Sequence, residues 1–259
     1  MTEMVPSRAA GRAAMQAFIP AMGHRYENGR NYDYGPGRHK AVSMLSPYIR
    51  RRLITEAEVV TAALDAHGPE GAGKFIEEVI WRGYYKGWLE RRPQVWDSYV
   101  KGLNTDLFSL ERDRHLRRDI ALAETGQTGL DCFDAWAHEL VETGYLHNHA
   151  RMWFASIWIL TLGLPWRLGA DFFFRHLLDG DAASNTLGWR GQRGYIPVAS
   201  PTPHVRRTLR HLPMVVSPQD MATLRRLSRD WMHQSQMASR RCCPCAKCAR
   251  HCPTCQPCF

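Results

Sequence analysis

The feature that most constrains the fold is a series of segments with helical periodicity between residues 1 and 189, with no convincing alternating strand among them. In "LDCFDAWAHELVETG", Phe133, Trp136 and Leu140 recur at the spacing of one buried helix face. The stretch "NHARMWFASIWILTLGL" is apolar on nearly every side, as expected of a helix at the centre of a domain. We therefore predict an all-α fold.

Helix-boundary signals support this prediction. "TEAEVVTAALDAHG" begins with a capping-box pattern from Thr55 to Glu58 and is predicted to end at Gly68. Earlier in the chain, a Gly-, Asn- and Tyr-rich loop precedes "VSMLSPYIRRRLIT", where Ser43 or Ser46 is expected to cap a helix. Backbone N–H groups at that helix start would suit an anion such as phosphate, although an ordinary cap has the same sequence.

The chain changes character near residue 190. Residues 190–259 contain twelve Lys and Arg residues but only two Asp and Glu residues, whereas residues 1–189 contain 22 basic and 23 acidic ones. The net charge of +9 therefore belongs to the tail and does not by itself indicate a nucleic-acid partner for the first part. We find no signal peptide and no stretch long enough to span a membrane, so we expect a cytoplasmic protein. We also expect a monomer.

Seven of the eight cysteines lie in the tail, in "CCPCAKCARHCPTCQPCF". Cys242, Cys245, Cys248 and Cys252 match the spacing of bacterial ferredoxins, and two C-x₂-C pairs would equally serve zinc. The second half of a ferredoxin pattern is missing, and the flanking residues offer no core to shield a cluster. The interpretation we favour is an unstructured tail prone to oxidation, without a bound metal.

Four stretches in order, "VSMLSPYIR", "KFIEEVIWRGYY", "TGYLHNHARM" and "LLDGDAASNTLGW", resemble the FAD-binding all-α domain of DNA photolyases and cryptochromes. This resemblance runs from about Tyr26 to Trp189. It implies a lead-in helix in residues 1–25, an FAD-binding domain in residues 26–190 and a divergent tail in residues 191–259. It also implies FAD as cofactor, DNA containing pyrimidine dimers as partner, and light-driven cleavage of carbon–carbon bonds.

The resemblance assigns cofactor contacts residue by residue. One group of residues matches the cradle for the pyrophosphate and ribityl chain, two arginines lie around the flavin ring, and two aspartates accept hydrogen bonds from the cofactor. An asparagine faces the flavin N5 edge, and a second asparagine is shared with the substrate side. In that order these residues are Tyr26, Ser43, Met44, Leu45 and Ser46; Arg82 and Arg151; Asp179 and Asp181; Asn185; and Asn148.

Other matching positions belong to the substrate side and to electron transfer. The lesion pocket would contain Glu78, Trp81, Asn148 and Met152, with Glu78 stabilising the lesion after it receives an electron. Trp189 matches the tryptophan nearest the flavin, Trp166 the next member of the chain, and Trp96 the outer one. With Asn185, the residues Glu78, Trp166 and Trp189 are the candidate catalytic residues.

The sequence departs from the family pattern in several places. Val42 replaces a threonine, Tyr145 a tryptophan and His149 an arginine. Gly191 stands where a tryptophan forms the second wall of the lesion pocket, and the stretch that follows resembles nothing expected. We interpret the tail as the product of a frameshift or an alternative gene end. Nothing resembles the antenna domain of the family, so we expect the flavin alone to capture light.

Two alternatives to dimer repair stay open at this point. One is a cryptochrome-like light sensor that keeps the flavin and tryptophans but lacks the complete pocket, and the other is a truncated, non-functional product. A metal site at His147 and His149 in "LHNH" is disfavoured because no third ligand is nearby.

Overall fold

The computed structural model describes residues 4–194, and within this range the chain forms ten α-helices and no β-strand. The all-α prediction is therefore confirmed. The part of the predicted tail beyond Gly194, including its cysteines, lies outside the described residues. The helices are α1 (Arg8–Phe18), α2 (His24–Gly29), α3 (Ser46–Arg50), α4 (Glu56–Glu90), α5 (Pro93–Arg112), α6 (Arg114–Glu124), α7 (Asp131–Thr143), α8 (Asn148–Ser156), α9 (Trp166–His176) and α10 (Ala182–Gly194).

The predicted helix start at Thr55 is confirmed. The Thr55 hydroxyl accepts a hydrogen bond from the Glu58 N–H at 3.2 Å, and the Thr55 N–H donates to the Glu58 carboxylate at 2.9 Å. At Gly68 the helical dihedral angles are interrupted (φ 67°, ψ 174°) and Pro69 follows. The helix was predicted to end here, but α4 is kinked at Gly68 and continues to Glu90. The second half of α4 carries several of the candidate site residues.

The predicted cap at Ser43 or Ser46 is wrong. Helix α3 begins at Ser46 with Leu45 at the N-cap, and no side chain caps it. The Ser43 hydroxyl instead accepts a hydrogen bond from the Leu45 N–H at 3.4 Å. Burial of the Leu45 side chain, which is 1% exposed, fixes where the chain turns into the helix. Met44 reaches this turn with a left-handed backbone (φ 51°), a conformation that costs free energy outside glycine.

Two hydrophobic cores hold the helices together. The N-terminal core joins α1 to α4 around Met22, Leu45, Ile54 and Val59. The C-terminal core joins α5 to α10 and is rich in aromatic rings; the predicted core residues Phe133, Trp136 and Leu140 all lie in it, at most 2% exposed.

The apolar stretch predicted to form the central helix forms α8 and a following π-helical turn, Ile157–Thr161. Phe154, Ile157 and Trp158 in this stretch are buried in the C-terminal core. Among residues 4–194, no helix has the length and apolar character required to cross a membrane.

Candidate functional site

The turn between α9 and α10 contains the Asp-Gly-Asp sequence and forms the centre of the candidate site. A side chain at position 180 would be crowded, because a Cβ atom would lie 3.0 Å from the Phe174 carbonyl oxygen and 3.1 Å from that of Leu177. Asp179 and Asp181 on either side are buried, at 8% and 6% exposure. Buried carboxylates need partners, so the groups that face them define the site.

Asp179 is held by cations from two helices. Arg151 on α8 approaches it at 3.2 Å and also donates to the Leu146 carbonyl oxygen at 2.8 Å. Burial by itself would raise the pKa of Asp179, but Arg151, a hydrogen bond from Ser46 and the charge of Arg82 lower that pKa below its ordinary value. Asp179 is therefore a buried anion that joins α8, α3 and α4.

Asp181 has a different set of contacts. One carboxylate oxygen accepts hydrogen bonds from the N–H groups of Ala183 at 3.1 Å and Ser184 at 2.9 Å, which caps α10. The other oxygen lies 3.4 Å from Arg50 and 3.7 Å from Lys86. Both oxygens thus already have protein partners, and Asp181 serves as the N-cap of α10.

Arg82 on α4 has unmet hydrogen-bonding capacity. Within the described part of the chain, its Nε and Nη2 atoms are buried and have no hydrogen-bond partner. Buried N–H donors without acceptors are costly, and acceptor atoms on a bound group would relieve that cost. This is the strongest structural sign of a ligand near Asp179.

Asn185 lies one turn into α10, and its amide nitrogen donates to the Ala170 carbonyl oxygen of α9 at 2.7 Å. This contact uses one of the two N–H donors of the amide and fixes its orientation. The carbonyl oxygen Oδ1 can accept a hydrogen bond from a ligand N–H group.

Glu78, one turn before Arg82 on α4, contacts two cations. Arg30 approaches it at 2.5 Å and Lys74 at 3.1 Å. Arg30 also lies near Tyr26, whose ring packs against Phe75 with centroids 5.0 Å apart. Burial, with Arg30 opposing it, raises the pKa of the Tyr26 phenol. Tyr26 is thereby tied to the N-terminal core as well as to the charged residues.

The other predicted substrate-side residues face solvent. Trp81 is 41% exposed and Met152 is 45% exposed, and Asn148 is exposed at the start of α8. Trp81 follows Glu78 by one turn on α4, and Asn148 precedes Arg151 by one turn on α8. Exposed aromatic and polar side chains thus flank the charged cluster around Asp179.

The predicted electron-transfer tryptophans do not form one continuous set of ring contacts. The Trp166 ring contacts Tyr99 (centroids 5.7 Å apart), which contacts Trp96 at 5.4 Å. Among the described residues, no ring contact joins Trp166 to Trp189. Trp189 instead contacts Trp158 at 6.1 Å and Phe173 at 5.0 Å.

His147 in "LHNH", where a metal site was disfavoured, makes contacts within the protein through both of its ring nitrogens. His147 is 1% exposed; its Nε2 contacts the Arg30 carbonyl oxygen at 3.0 Å, and its Nδ1 accepts from the His149 N–H at 3.2 Å. Burial lowers the pKa of His147 to about 4. Between residues 4 and 194 no group of three or more His, Cys, Asp or Glu side chains is arranged to hold a metal ion.

Several residues that shape the site were not predicted from the sequence. Lys86 follows Arg82 by four residues, a spacing that places both on the same face of one helix, and this spacing could have identified Lys86 as a site residue. Arg50 and Arg30 carry no comparable signal because their carboxylate partners are distant in sequence. Trp158 was not separable from the other eight tryptophans.

A known protein family and several curated proteins are similar in sequence to this chain. The family described as the FAD binding domain of DNA photolyase matches residues 75–211. This match continues past Trp189, where the resemblance found in the sequence ends. A deoxyribodipyrimidine photo-lyase of Thermus thermophilus is 34% identical over 202 residues, 76% of this chain and 44% of that protein. One of Streptomyces griseus is 31% identical over 191 residues, 71% of this chain and 38% of that protein. The chain thus spans about two fifths of these curated relatives.

Comparison with solved structures supports the fold. A bacterial class III photolyase from Agrobacterium tumefaciens superposes with a TM-score of 0.60 at 22% identity, covering 91% of this chain and 56% of the other. A cryptochrome from Synechocystis superposes with a TM-score of 0.58 at 20% identity, covering 92% and 56%. Both likenesses concern the helical architecture.

Proposed function

Because the chain belongs to the DNA photolyase family through its FAD-binding domain, we propose that it holds FAD against the charged cluster around Asp179 and uses it in light-driven chemistry on pyrimidine dimers in DNA. The observation that carries this proposal is Arg82, whose buried nitrogens lack acceptors among the described residues. FAD presents carbonyl oxygens, ring nitrogens and a pyrophosphate, all of which accept hydrogen bonds from a guanidinium. When bound, FAD supplies light-driven one-electron chemistry.

In this proposal the charged residues orient the cofactor. Arg82 provides hydrogen-bond donors, while Arg151 keeps Asp179 ionised and fixed in place. Asn185, with its amide nitrogen held by Ala170, accepts a hydrogen bond through Oδ1 from the ring edge. Asp181 acts mainly through α10, since it caps the helix that carries Asn185 and Trp189. The segment from Ser43 to Ser46, with Met44 in its left-handed conformation, supplies the cradle.

The substrate face in this proposal is the exposed surface beside the cluster. Trp81 stacks on an extruded lesion, a contact that contributes about 1–3 kcal/mol per base. Asn148 and Met152 line the same surface. Glu78 already pairs with Arg30 and Lys74, so a hydrogen bond to a lesion would add to this ion-pair network.

We retain residues 26–190 as the proposed flavin domain.

The cofactor part of the proposal is tested by purifying the protein with added FAD and measuring retained flavin by absorbance. The wild type and the control Arg118→Ala, which removes an exposed arginine of α6, are expected to retain equal amounts. Arg82→Ala and Asp181→Ala are expected to retain much less. Equal retention by the wild type and Arg82→Ala would contradict the assigned site.

The repair part needs its own experiment. Binding of dimer-containing and undamaged DNA is compared at two salt concentrations, and dimer loss under blue light is then followed. A preference for the lesion that persists at the higher salt supports the substrate assignment, because contacts to phosphate weaken with salt.

A second candidate function is light sensing without repair, and Gly191 favours it. Glycine has no side chain to form the second wall of the lesion pocket, and a Cβ atom at this position would meet nothing within 4 Å in the described structure. Flavin photoreduction without lesion preference or dimer loss would identify this function. We expect repair by this chain to be weak for the same reason.

A further inference from the structure

Two buried indoles meet behind the charged cluster. The ring centroids of Trp158 and Trp189 are 6.1 Å apart, with planes at 87°, and the two side chains are 0% and 3% exposed. Trp166 contacts Tyr99 instead. Among the tryptophans of the described chain, Trp158 is therefore the one in ring contact with Trp189.

A glycine makes this contact possible. A Cβ atom at Gly169 of α9 would lie 2.4 Å from Cη2 of Trp189 and 2.9 Å from Cε2 of Trp158. Any side chain at this position would displace the two indoles. Trp158 also lies in the π-helical turn Ile157–Thr161, and such turns are rare and recur at functional sites.

The surroundings of Trp158 favour a transient positive charge on its ring. Its N–H donates to the Pro165 carbonyl oxygen at 3.0 Å, and this acceptor becomes a stronger partner when the indole is oxidised. Its other ring contacts are to Phe133, Phe154 and Phe172, which are not bases. The oxidised indole would therefore keep its N–H proton.

Trp166 has a less favourable environment for the same charge. The Arg167 guanidinium lies 5.3 Å from its ring centroid, and a cation at that distance opposes oxidation of the indole. Pairing of Arg167 with Asp106 at 3.0 Å reduces this effect without removing it, because the guanidinium stays beside the ring. The Trp166 N–H is also buried without a hydrogen-bond partner in the described structure.

We propose that Trp158 is the direct electron donor to Trp189, ahead of Trp166, in the photoreduction of bound FAD. This inference rests on the proposed function. Trp189 loses one electron to the light-excited flavin; one electron then passes from Trp158 to Trp189, which becomes neutral again. Trp158 is linked to Trp166 by its hydrogen bond to the carbonyl oxygen of Pro165, the residue that precedes Trp166. Ring contacts from Trp166 to Tyr99 and from Tyr99 to Trp96 continue this path. An added thiol finally supplies the electron, releases its proton to water, and pairs with a second oxidised thiol as a disulfide.

The test compares Trp158→Phe with Trp136→Phe, which makes the same change at another buried tryptophan of the same core. Flavin retention and thermal unfolding establish that both variants are folded. Transient absorption is expected to show a tryptophan radical that recombines rapidly in Trp158→Phe, with photoreduction slower by an order of magnitude or more. Trp136→Phe should behave as the wild type. Wild-type radical kinetics in Trp158→Phe would overturn the proposal.

Trp166→Phe provides a second test that leaves Trp158 in place. The proposal predicts a radical that outlives the one in Trp158→Phe, because the electron vacancy still reaches Trp158. An equally short lifetime in the two variants would overturn the order of the relay. If the wild type retains FAD but forms no tryptophan radical, or retains no FAD, the proposed function fails instead.

The contact itself is tested without flavin. Two indoles at this distance and angle should produce an exciton couplet in the circular dichroism of the flavin-free protein. The couplet should disappear in Trp158→Phe and in Trp189→Phe and persist in Trp136→Phe. An unchanged couplet in Trp158→Phe would mean that Trp158 and Trp189 contribute nothing to it, which contradicts their contact, and the proposal would fall.

Discussion

The start of α10 and its later turns are stabilised by different kinds of interaction. At its start, Asp179 and Asp181 are buried with cations from α3, α4 and α8. Further along, Trp189 packs into a core of aromatic rings. A buried ion depends on each of its few partners, whereas a hydrophobic contact is shared among many neighbours. Single substitutions should therefore be far more damaging in the charged cluster than in the aromatic core.

The largest expected effect is that of Asp179→Asn. The substitution keeps the shape but removes the charge that compensates Arg151 and Arg82. Breaking a buried pair costs about 3–5 kcal/mol, and the variant should also lose FAD. Denaturant unfolding and flavin retention measure the two effects. A loss below 1 kcal/mol would mean that the cluster behaves as a surface ion pair and that the contrast between the regions is absent.

The pH dependence of Asp179 has a definite sign. Its pKa is lowered in the folded protein, so its contribution to stability is present above its unfolded pKa and is lost as the pH falls through the folded value. The acid limb of the unfolding curve should therefore flatten in Asp179→Asn.

The next effect concerns His147, a buried polar residue at the N-cap of α8, the helix that carries Arg151. Its pKa falls from 6.5 to about 4 in the folded protein because burial disfavours the charged form. Protonation at Nδ1 would also lose the hydrogen bond from the His149 N–H. Stability should be unaffected above the unfolded pKa and fall between pH 6.5 and 4, by about 3 kcal/mol at 1.36 kcal/mol per unit.

The measurement is the free energy of unfolding against pH, with His147→Gln as the comparison. This variant has no proton to take up and should lack that part of the pH dependence. A histidine control is His24→Gln, since His24 is exposed. The same slope in the wild type and His147→Gln would contradict the assignment.

A smaller effect is expected from Gly191→Trp, which adds an aromatic ring two residues beyond Trp189 on α10. Space is available, since a Cβ atom there meets nothing within 4 Å in the described residues. One added stacking wall should strengthen binding of dimer-containing DNA by about 1–3 kcal/mol per base. Gly188→Trp, at another open position of α10, is the control. Equal gains from both would indicate non-specific stacking.

The smallest effect is expected from Phe172→Leu in the aromatic core. The ring is 1% exposed and contacts Phe154 and Trp158, so the loss of apolar contact should cost about 1–2 kcal/mol. Flavin retention should stay at the wild-type level. A cost equal to that of Asp179→Asn would remove the difference between the two regions.

The fold and the residues of the site were predictable to different degrees. Periodicity identified Phe133, Trp136 and Leu140 because burial of a helix face leaves a local pattern. The capping box at Thr55 is equally local. The misassigned cap at Ser46 shows the limit, since burial of Leu45 against distant helices decided the start of α3.

Contacts between distant residues leave no such pattern. Arg50 meets Asp181, and Arg30 meets Glu78, only after the helices pack. The resemblance to a family supplied Asp179, Arg151 and Arg82 as site residues. The contact of Trp158 with Trp189 was visible only in three dimensions, because it depends on the space left by Gly169.

The kink in α4 has a consequence for sequence variation. Gly68 has open space around it, since a Cβ atom would meet nothing within 4 Å in the described structure. Its backbone, at φ 67° and ψ 174°, lies in a region reached essentially only by glycine. In a saturation library selected for folding, position 68 should thus be depleted of every other residue, although a steric scan would rate it among the most permissive. The tolerance of this position is set by the chain's own torsions and not by its neighbours.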